Sequence, residues 1–326
     1  MSVPFDLRMS LLRRHGNFAL AYSLAVQPDL NHFGDARGFL AYKMIGRTAL
    51  VLSDPIAPFE NSADLMFRFA EEKKDVCFLQ ISRPIAEIAA GLGFIINEMG
   101  VETRLELPSY SMKGPKKRNF RTAVNRMKAA GTFIEERPAA SLDAREIKHV
   151  SDQWRQTRTI RNHEIAFLAR PIVLGNEIDV RKFWAFDRNK RLQAFAFFDP
   201  IYDRGEVVGY LNSVRRRLPE ADALATYALL HAAIEKFQSE RRQWLSIGLS
   251  PLAEIEDKDF PHNWFVRRAF RFVYTNTLFN RYVYPLQGLA KNKRGYCGVS
   301  RQTYFAFNTP PPFRRLIKIL RAIELI

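Results

Sequence analysis

The sequence predicts an α/β (α+β) protein of two units, each a mixed central sheet flanked by helices. Three observations predict it. Apolar runs of strand length alternate with runs of helical spacing from residue 47 onward. The order of strands and helices in the second half echoes that in the first. The 326 residues, 47% hydrophobic and 13% aromatic, are enough to build a core in each unit.

Arg47 to Ser53 reads as a buried strand, Ala63 to Lys73 as a helix and Val76 to Ser82 as a second strand. Pro84 opens a helix through Ala90 that Gly91 and Gly93 stop, and Phe94 to Glu98 begins another extended piece. A first unit at residues 1–110 follows. Beyond the turn-rich stretch from Pro108 to Pro115, Lys116 to Ala130 has helical spacing. Phe120, Val124 and Met127 form its apolar stripe, and Arg118, Arg121, Asn125 and Lys128 fall elsewhere. This basic helix bridges into a second unit at residues 111–309. There a helix is expected at Leu142 to Arg158, with strands at Phe183 to Phe186, Leu192 to Phe198 and Val207 to Asn212. A helix at Ala223 to Glu240 and a strand at Trp244 to Gly248 complete it.

Two later segments differ in character. Asn263 to Leu286 interleaves Phe, Tyr and Trp with Arg267, Arg268, Arg271 and Arg281. Residues 310–326 begin with three prolines and continue as a basic amphipathic helix. Phe313, Leu316, Ile317, Leu320 and Ile323 share one face, and Arg314, Arg315, Lys318 and Arg321 lie off it.

Fifty Lys plus Arg against 34 Asp plus Glu give a formal charge of +16, which favours nucleic acid or an acidic lipid surface as partner. Cys77 and Cys297 suggest neither a disulfide framework nor a cysteine metal cluster, so a reducing compartment fits. The first sixteen residues lack the apolar stretch of a signal peptide, and no run has the length of a membrane span. A cytoplasmic location is therefore expected. HExxH, GxSxG, GxxxxGK and paired-cysteine patterns are absent, which removes the usual support for zinc proteases, elbow-type hydrolases and P-loop enzymes. His15, His32, His149, His163, His231 and His262 show no ligand spacing, so no metal is expected.

Three segments carry chemistry. From Ser111 to Arg126, Gly114 and Pro115 lead cations into a helix start, a place that can hold phosphate as well as being a solvated face. From Trp244 to Leu252 a strand runs into Gly248 and the Ser250-Pro251 turn. Backbone N–H groups freed at such an end can stabilise an oxyanion, although a plain strand and turn reads equally well. Between Gly46 and Pro58 a buried strand delivers Asp54 to a proline-bracketed turn, where an aspartate is more often a turn former than a catalyst.

In this order and spacing the segments resemble the aminoacyl-phosphatidylglycerol synthase domain of the multiple peptide resistance factor family and its standalone relatives. Gly46 to Pro55 is similar to the family's Gly-Arg-Thr-(apolar)-Gly-Asp-Pro turn, with Ser53 in place of the second glycine. Lys113 to Arg126 is similar to its Lys-Gly-x-Lys-x-Arg-Asn-Leu-Arg-x-Ala-x-Asn-Arg run, with a shift near Pro115. Ser246 to Leu252 resembles its Asn-Leu-Gly-Met-Ala-Pro-Leu strand end, Arg216 to Glu220 its Arg-x-x-Pro-acid helix start, and Gly288 to Lys293 its Gly-Leu-x-x-Phe-Lys run. Asn212 or Ser213 stands where the larger enzymes carry an acid before the arginine pair, here Arg215 and Arg216. That difference favours a small neutral amino acid over lysine.

The resemblance implies tandem N-acetyltransferase-like (GNAT-like) domains, aminoacyl-tRNA as donor, an anionic phospholipid as acceptor, and reaction at the inner face of the cell membrane. No cofactor is implied. The membrane contact would run through the C-terminal helix, and a separate flippase is a further partner. Lys113, Arg118, Arg121, Asn125, Arg126, Arg215 and Arg216 would bind substrate, with Lys113, Arg118, Arg121 and Arg126 on its phosphate; Gly248 and Ser250 would face the oxyanion, and Lys293 would orient or neutralise charge near the ester. Asp54 and Tyr202 are candidates for the general base, as are the substrate's own phosphate and amine. Two other readings stay open: an acyltransferase on the same fold fed by coenzyme A or a carrier protein, and a non-catalytic binder of RNA or membrane. Deleting residues 312–326 should lower binding of the protein to anionic liposomes in a flotation assay, and unchanged binding would remove the anchor.

Overall fold

The structure, a computed structural model, describes residues 3–157 and 170–308. The amphipathic helix expected at 310–326 lies outside the described residues. The first half contains α1 (Phe5–His15), α2 (Ala21–Val26), β1 (Asn31–Asp35), β2 (Gly38–Ile45), β3 (Thr48–Leu52), α3 (Phe59–Lys73), β4 (Val76–Ile81), α4 (Arg83–Gly91) and β5 (Ile95–Glu106). A turn of 3-10 helix at Pro115–Lys117 leads into α5 (Arg118–Ala129). The second half contains β6 (Phe133–Glu136), α6 (Ala144–Gln156), β7 (Arg181–Phe186), β8 (Leu192–Asp203), β9 (Glu206–Arg217), α7 (Ala225–Ser239) and β10 (Trp244–Pro251). Helices α8 (Trp264–Thr275), α9 (Thr277–Tyr282) and α10 (Leu286–Arg294) then precede β11 (Val299–Phe307).

The protein is a mixed α/β structure in which, among the described residues, eleven strands form one sheet, ordered β1-β2-β3-β4-β11-β5-β10-β9-β8-β7-β6. Each half has an antiparallel meander followed by one parallel pair, β3 with β4 and β9 with β10, joined across α3 and α7 respectively. Parallel neighbours need such a crossover, and the helix that makes it covers a sheet face. The ranges 1–110 and 111–309 share this sheet: β11, the last described strand, lies between β4 and β5, and β5 pairs onward with β10. The N-terminus crosses as well. Arg13 O and Gly16 O, at the end of α1, accept the N–H groups of Gly205 and Tyr202 on the β8–β9 hairpin.

Strand β11 shows why the sheet is continuous. Phe305 and Phe307 enter one core, with Leu50, Cys77 and Trp244, while Tyr304 and Ala306 enter the core on the opposite face with Phe69 and Phe78. An alternating strand buried on both faces must be interior to a sheet. Strand β8 runs past the expected Phe198 to Asp203 and β9 past the expected Asn212 to Arg217, because each is the other's partner along its length. The helix expected from Leu142 starts at Ala144, where the Asp143 side chain accepts the Arg145 N–H and caps it.

Phe305→Ala should lower the unfolding free energy by about 3–5 kcal/mol in urea titration, the cost of emptying a buried phenyl site. A loss below about 1 kcal/mol would place β11 outside the cooperative core.

Candidate active site

The parallel pairing of β9 and β10 stops early. It is matched at Gly209 with Trp244, Tyr210 with Leu245 and Leu211 with Ser246. Beyond Ser246, β10 breaks register against β5, between Ser246 and Leu249. Gly248 lies in this irregularity with φ +78°, and a Cβ there would stand 3.4 Å from Lys293 Nζ.

Lys293 enters the gap from α10, whose buried positions are Leu286, Ala290 and Lys293. These form one helical stripe, so a lysine occupies a core position. Its Nζ donates to Leu249 O at 2.5 Å. Burial, and then the neighbouring Arg215, pull its pKa down to about 7, with Glu102 acting the other way.

Glu102 approaches the same gap from β5. Its Oε1 accepts the Ser246 hydroxyl at 2.8 Å, and Ser246 Oγ accepts the Gly248 N–H at 3.1 Å. Burial raises the Glu102 carboxyl, while the Ser246 bond and the charges of Lys293, Arg104 and Arg301 hold it down.

Glu102 also lines a cavity of about 350 Å³, together with Asp54, Arg104, Trp244 and Arg301. Asp54 Oδ1 accepts the Ser82 N–H at 2.7 Å and so ties the ends of β3 and β4 together. Burial raises the Asp54 pKa to about 6 against the pull of that bond, and the charge of Glu102 adds to the rise. Ser53 before it holds φ +59°, the conformation that suits the glycine of the resembled turn. The Arg104 guanidinium lies 3.6 Å from the Trp244 ring centroid, its pKa lowered to about 10 by burial and then by Arg301. Two carboxylates and two guanidiniums thus converge on one cavity, a set able to hold an ammonium group and a phosphate.

The residues expected from sequence fall into three groups. Gly248, Lys293 and Arg215 come together at the gap, and Asp54 joins them through Glu102; Arg215 itself faces Tyr296 Oη at 3.3 Å and Asn292 Oδ1 at 3.4 Å. Lys113, Arg118, Asn125 and Arg126 are exposed along the start and outer face of α5, where Arg126 pairs with Asp222 at 3.3 Å. Arg121 is drawn into local structure, since its Nη1 donates to Met112 O and Gly114 O, both at 2.7 Å.

The third group lies elsewhere. Arg216 points to the sheet face opposite Arg215, as alternation along a strand requires. It is buried over the Trp154 ring and bonded to Ser151. Tyr202 donates to Asp179 at 2.8 Å, and burial pushes its phenol far above the usual range. Ser250 is buried and paired with Val101 in the ladder. The N–H of Gly248, expected to face an oxyanion, is engaged by Ser246 Oγ.

Sequence reasoning missed Ser246, Glu102, Arg104 and Arg301 as site residues. A signal for two of them exists: Glu102, Arg104 and Glu106 alternate with Val101, Thr103 and Leu105, and charges at every second position of a central strand mark a lined cavity. Among the described residues no group of three or more His, Cys, Asp or Glu side chains is placed to hold a metal ion. No helix of the described residues is long and apolar enough to cross a membrane.

Residues 8–307 match the family model described as phosphatidylglycerol lysyltransferase, C-terminal. The phosphatidylglycerol lysyltransferase of Bacillus subtilis (strain 168) is 26% identical over 281 residues, covering 84% of this chain and 31% of that protein. That of Staphylococcus xylosus is 24% identical over 292 residues, covering 86% and 33%. The chain therefore spans about a third of the length of the curated relatives it matches. Of solved structures, L-PGS from Bacillus licheniformis has the same fold, with TM-score 0.77 at 18% identity over 99% of this chain and 97% of that one. A DUF2156 C-terminal domain from Agrobacterium fabrum gives TM-score 0.76 at 16% identity over 98% and 94%.

The lysine in the gap makes a stability prediction. Its folded pKa of about 7 lies below the ordinary value near ~10.4, so unfolding above pH 7 takes up a proton. The penalty is full below pH 7 and fades as pH rises toward ~10.4. Lys293→Met should therefore melt higher than wild type at pH 7, with the difference shrinking by pH 10. A lower melting temperature at pH 7 would mean that the lysine holds the gap together.

Proposed function

The chain belongs to the phosphatidylglycerol lysyltransferase C-terminal family, and on that premise we propose that it moves an aminoacyl group from aminoacyl-tRNA to the head group of phosphatidylglycerol or a related anionic lipid. The reaction takes place at the inner membrane face. The observation that carries this reading is the buried Lys293–Glu102 pair at the broken β9–β10 pairing, next to a cavity with Asp54, Arg104 and Arg301.

In this mechanism Asp54 and Glu102 hold the α-ammonium of the aminoacyl group, and Arg104 and Arg301 hold a phosphate. The lipid glycerol hydroxyl attacks the ester carbonyl and passes its proton to neutral Lys293, whose pKa near 7 suits a base at physiological pH. The tetrahedral oxyanion forms beside the cation of Lys293 and the guanidinium of Arg215. It collapses with expulsion of the tRNA ribose oxygen, which takes the proton back from Lys293. No covalent enzyme intermediate is required. Lys113, Arg118 and Arg126 steer the polyanionic donor from the outer face of α5.

Mass spectrometry of lipids from a host expressing wild type should reveal an amine-bearing phospholipid that is missing with Lys293→Met or Glu102→Gln. Assayed in vitro with aminoacyl-tRNA, Lys293→Met should lose about 10²–10⁴-fold in rate. The wild-type rate should rise with pH through about 7 as the lysine loses its proton. An unchanged lipidome with folded protein, or a rate that falls above pH 7, sinks the mechanism. Activity that survives ribonuclease treatment of the donor mixture would turn the reading toward an acyl-coenzyme A or carrier-protein donor.

A further inference from the structure

Helix α8 is apolar on two faces. Val266, Phe270 and Tyr274, four apart, pack inward: Val266 is buried, Phe270 meets Phe305, and Tyr274 packs against the small cluster of Val101, Ala253 and Ala290. The opposite side carries Trp264, 68% exposed, and Phe272, 65% exposed, with Arg268 and Arg271 between them in the same exposed class. Helix α9 continues the pattern with Leu278, 66% exposed, Tyr282, 58% exposed, and exposed Arg281. Packing explains the inner stripe and leaves the outer one unexplained.

The charge along this stretch of sequence has one sign. Between Asp259 and Glu324 the sequence carries no carboxylate side chain. The acidic group that faces the arginines from outside is Glu256, already paired with Lys258 at 2.5 Å. Large apolar side chains set among exposed arginines match a surface that offers acyl chains and phosphates together. Trp and Tyr suit the boundary between those layers, since each has an apolar body and a polar tip. RNA would use the rings for stacking but has no use for Leu278, whereas acyl chains take aromatic and aliphatic groups alike.

We propose that the outer face of α8 and α9, built from Trp264, Phe272, Leu278 and Tyr282 with Arg268, Arg271 and Arg281, docks the protein on the surface of an anionic lipid bilayer. The inference rests on the proposed function only in placing the acceptor in that bilayer; docking itself is measurable without transfer. It assigns membrane contact to a face of the folded body, separate from residues 310–326.

The test uses the full chain and vesicles of phosphatidylglycerol mixed with phosphatidylcholine. Tryptophan emission should be quenched by lipids brominated near the head of the acyl chain, and Trp264→Phe should remove most of the quenching, because Trp184 and Trp244 are buried and Trp154 is half-buried against the Arg216 guanidinium. The Trp264→Ala, Phe272→Ala, Leu278→Ala variant should bind these vesicles at least about tenfold more weakly while retaining its melting temperature. Pure phosphatidylcholine vesicles should bind neither protein. Wild-type affinity in the triple variant, or quenching that persists undiminished in Trp264→Phe, overturns the proposal. So does loss of RNA binding by the triple variant with vesicle binding intact, which would give the face to RNA. Transfer to detergent-dispersed lipid should survive the triple substitution. Its loss there together with full vesicle binding would count against docking, whereas docking without any transfer would count against the proposed reaction alone.

Discussion

Strand β5 is hydrogen-bonded to β11 along one edge and to β10 along the other, and this double pairing makes one sheet out of two halves. Among the described residues β4 reaches β5 only through β11, which the second half of the chain contributes. The strand must then serve two environments. Val101 and Leu105 pack into apolar clusters, while Glu102 and Arg104 line the cavity. Period-two alternation allows both, since neighbouring side chains leave a strand on opposite faces. The ladder that unites the fold therefore also presents the carboxylate at the centre of the site.

Placing charge there works against stability. A lysine and a glutamate removed from water lose hydration that their mutual attraction only partly restores. Lys293 has Leu249 O as a hydrogen-bond acceptor and Glu102 has the Ser246 hydroxyl, so neither group is left without a partner. Burial drives the lysine down to about 7 and the glutamate up from its ordinary value. Contrast Arg170, also buried, which is clamped by Asp199 at 2.7 Å and Glu177 at 2.6 Å and driven far above its usual range. There the charges are locked, and the cluster acts as a fastener between β8 and the chain before β7.

Much of this was legible in the residues. The buried strand at 48–52, the helix ending at Lys73, the strand from Val76 and the stripe of Phe120, Val124 and Met127 all follow from periodicity, which reports burial on one face of a local element. Lys293 was found through a motif, and Asp54 through its proline-bracketed turn. Glu102 escaped because the strand that carries it was read only as far as Glu98, where apolar residues give way to charge. Arg216 was grouped with Arg215 because adjacency in sequence hides the fact that neighbours on a strand face opposite ways. The first helices and strands, α1 to β2, were not marked at all, although α1 fastens to the β8–β9 hairpin through backbone bonds that leave no side-chain pattern.

The sequence by itself determined the α/β alternation, the cationic character and the presence of a basic helix after Pro115, because these depend on residue type and on spacing within a few turns of chain. Only the tertiary structure decided that β11 returns across the whole chain to lie between β4 and β5, and that the β9–β10 pairing ends at Ser246. It also decided that Glu102, Ser246 and Lys293, from three distant segments, share one gap. Strand order and desolvation are set by which surfaces meet, and a surface contact between remote segments leaves no period in either of them.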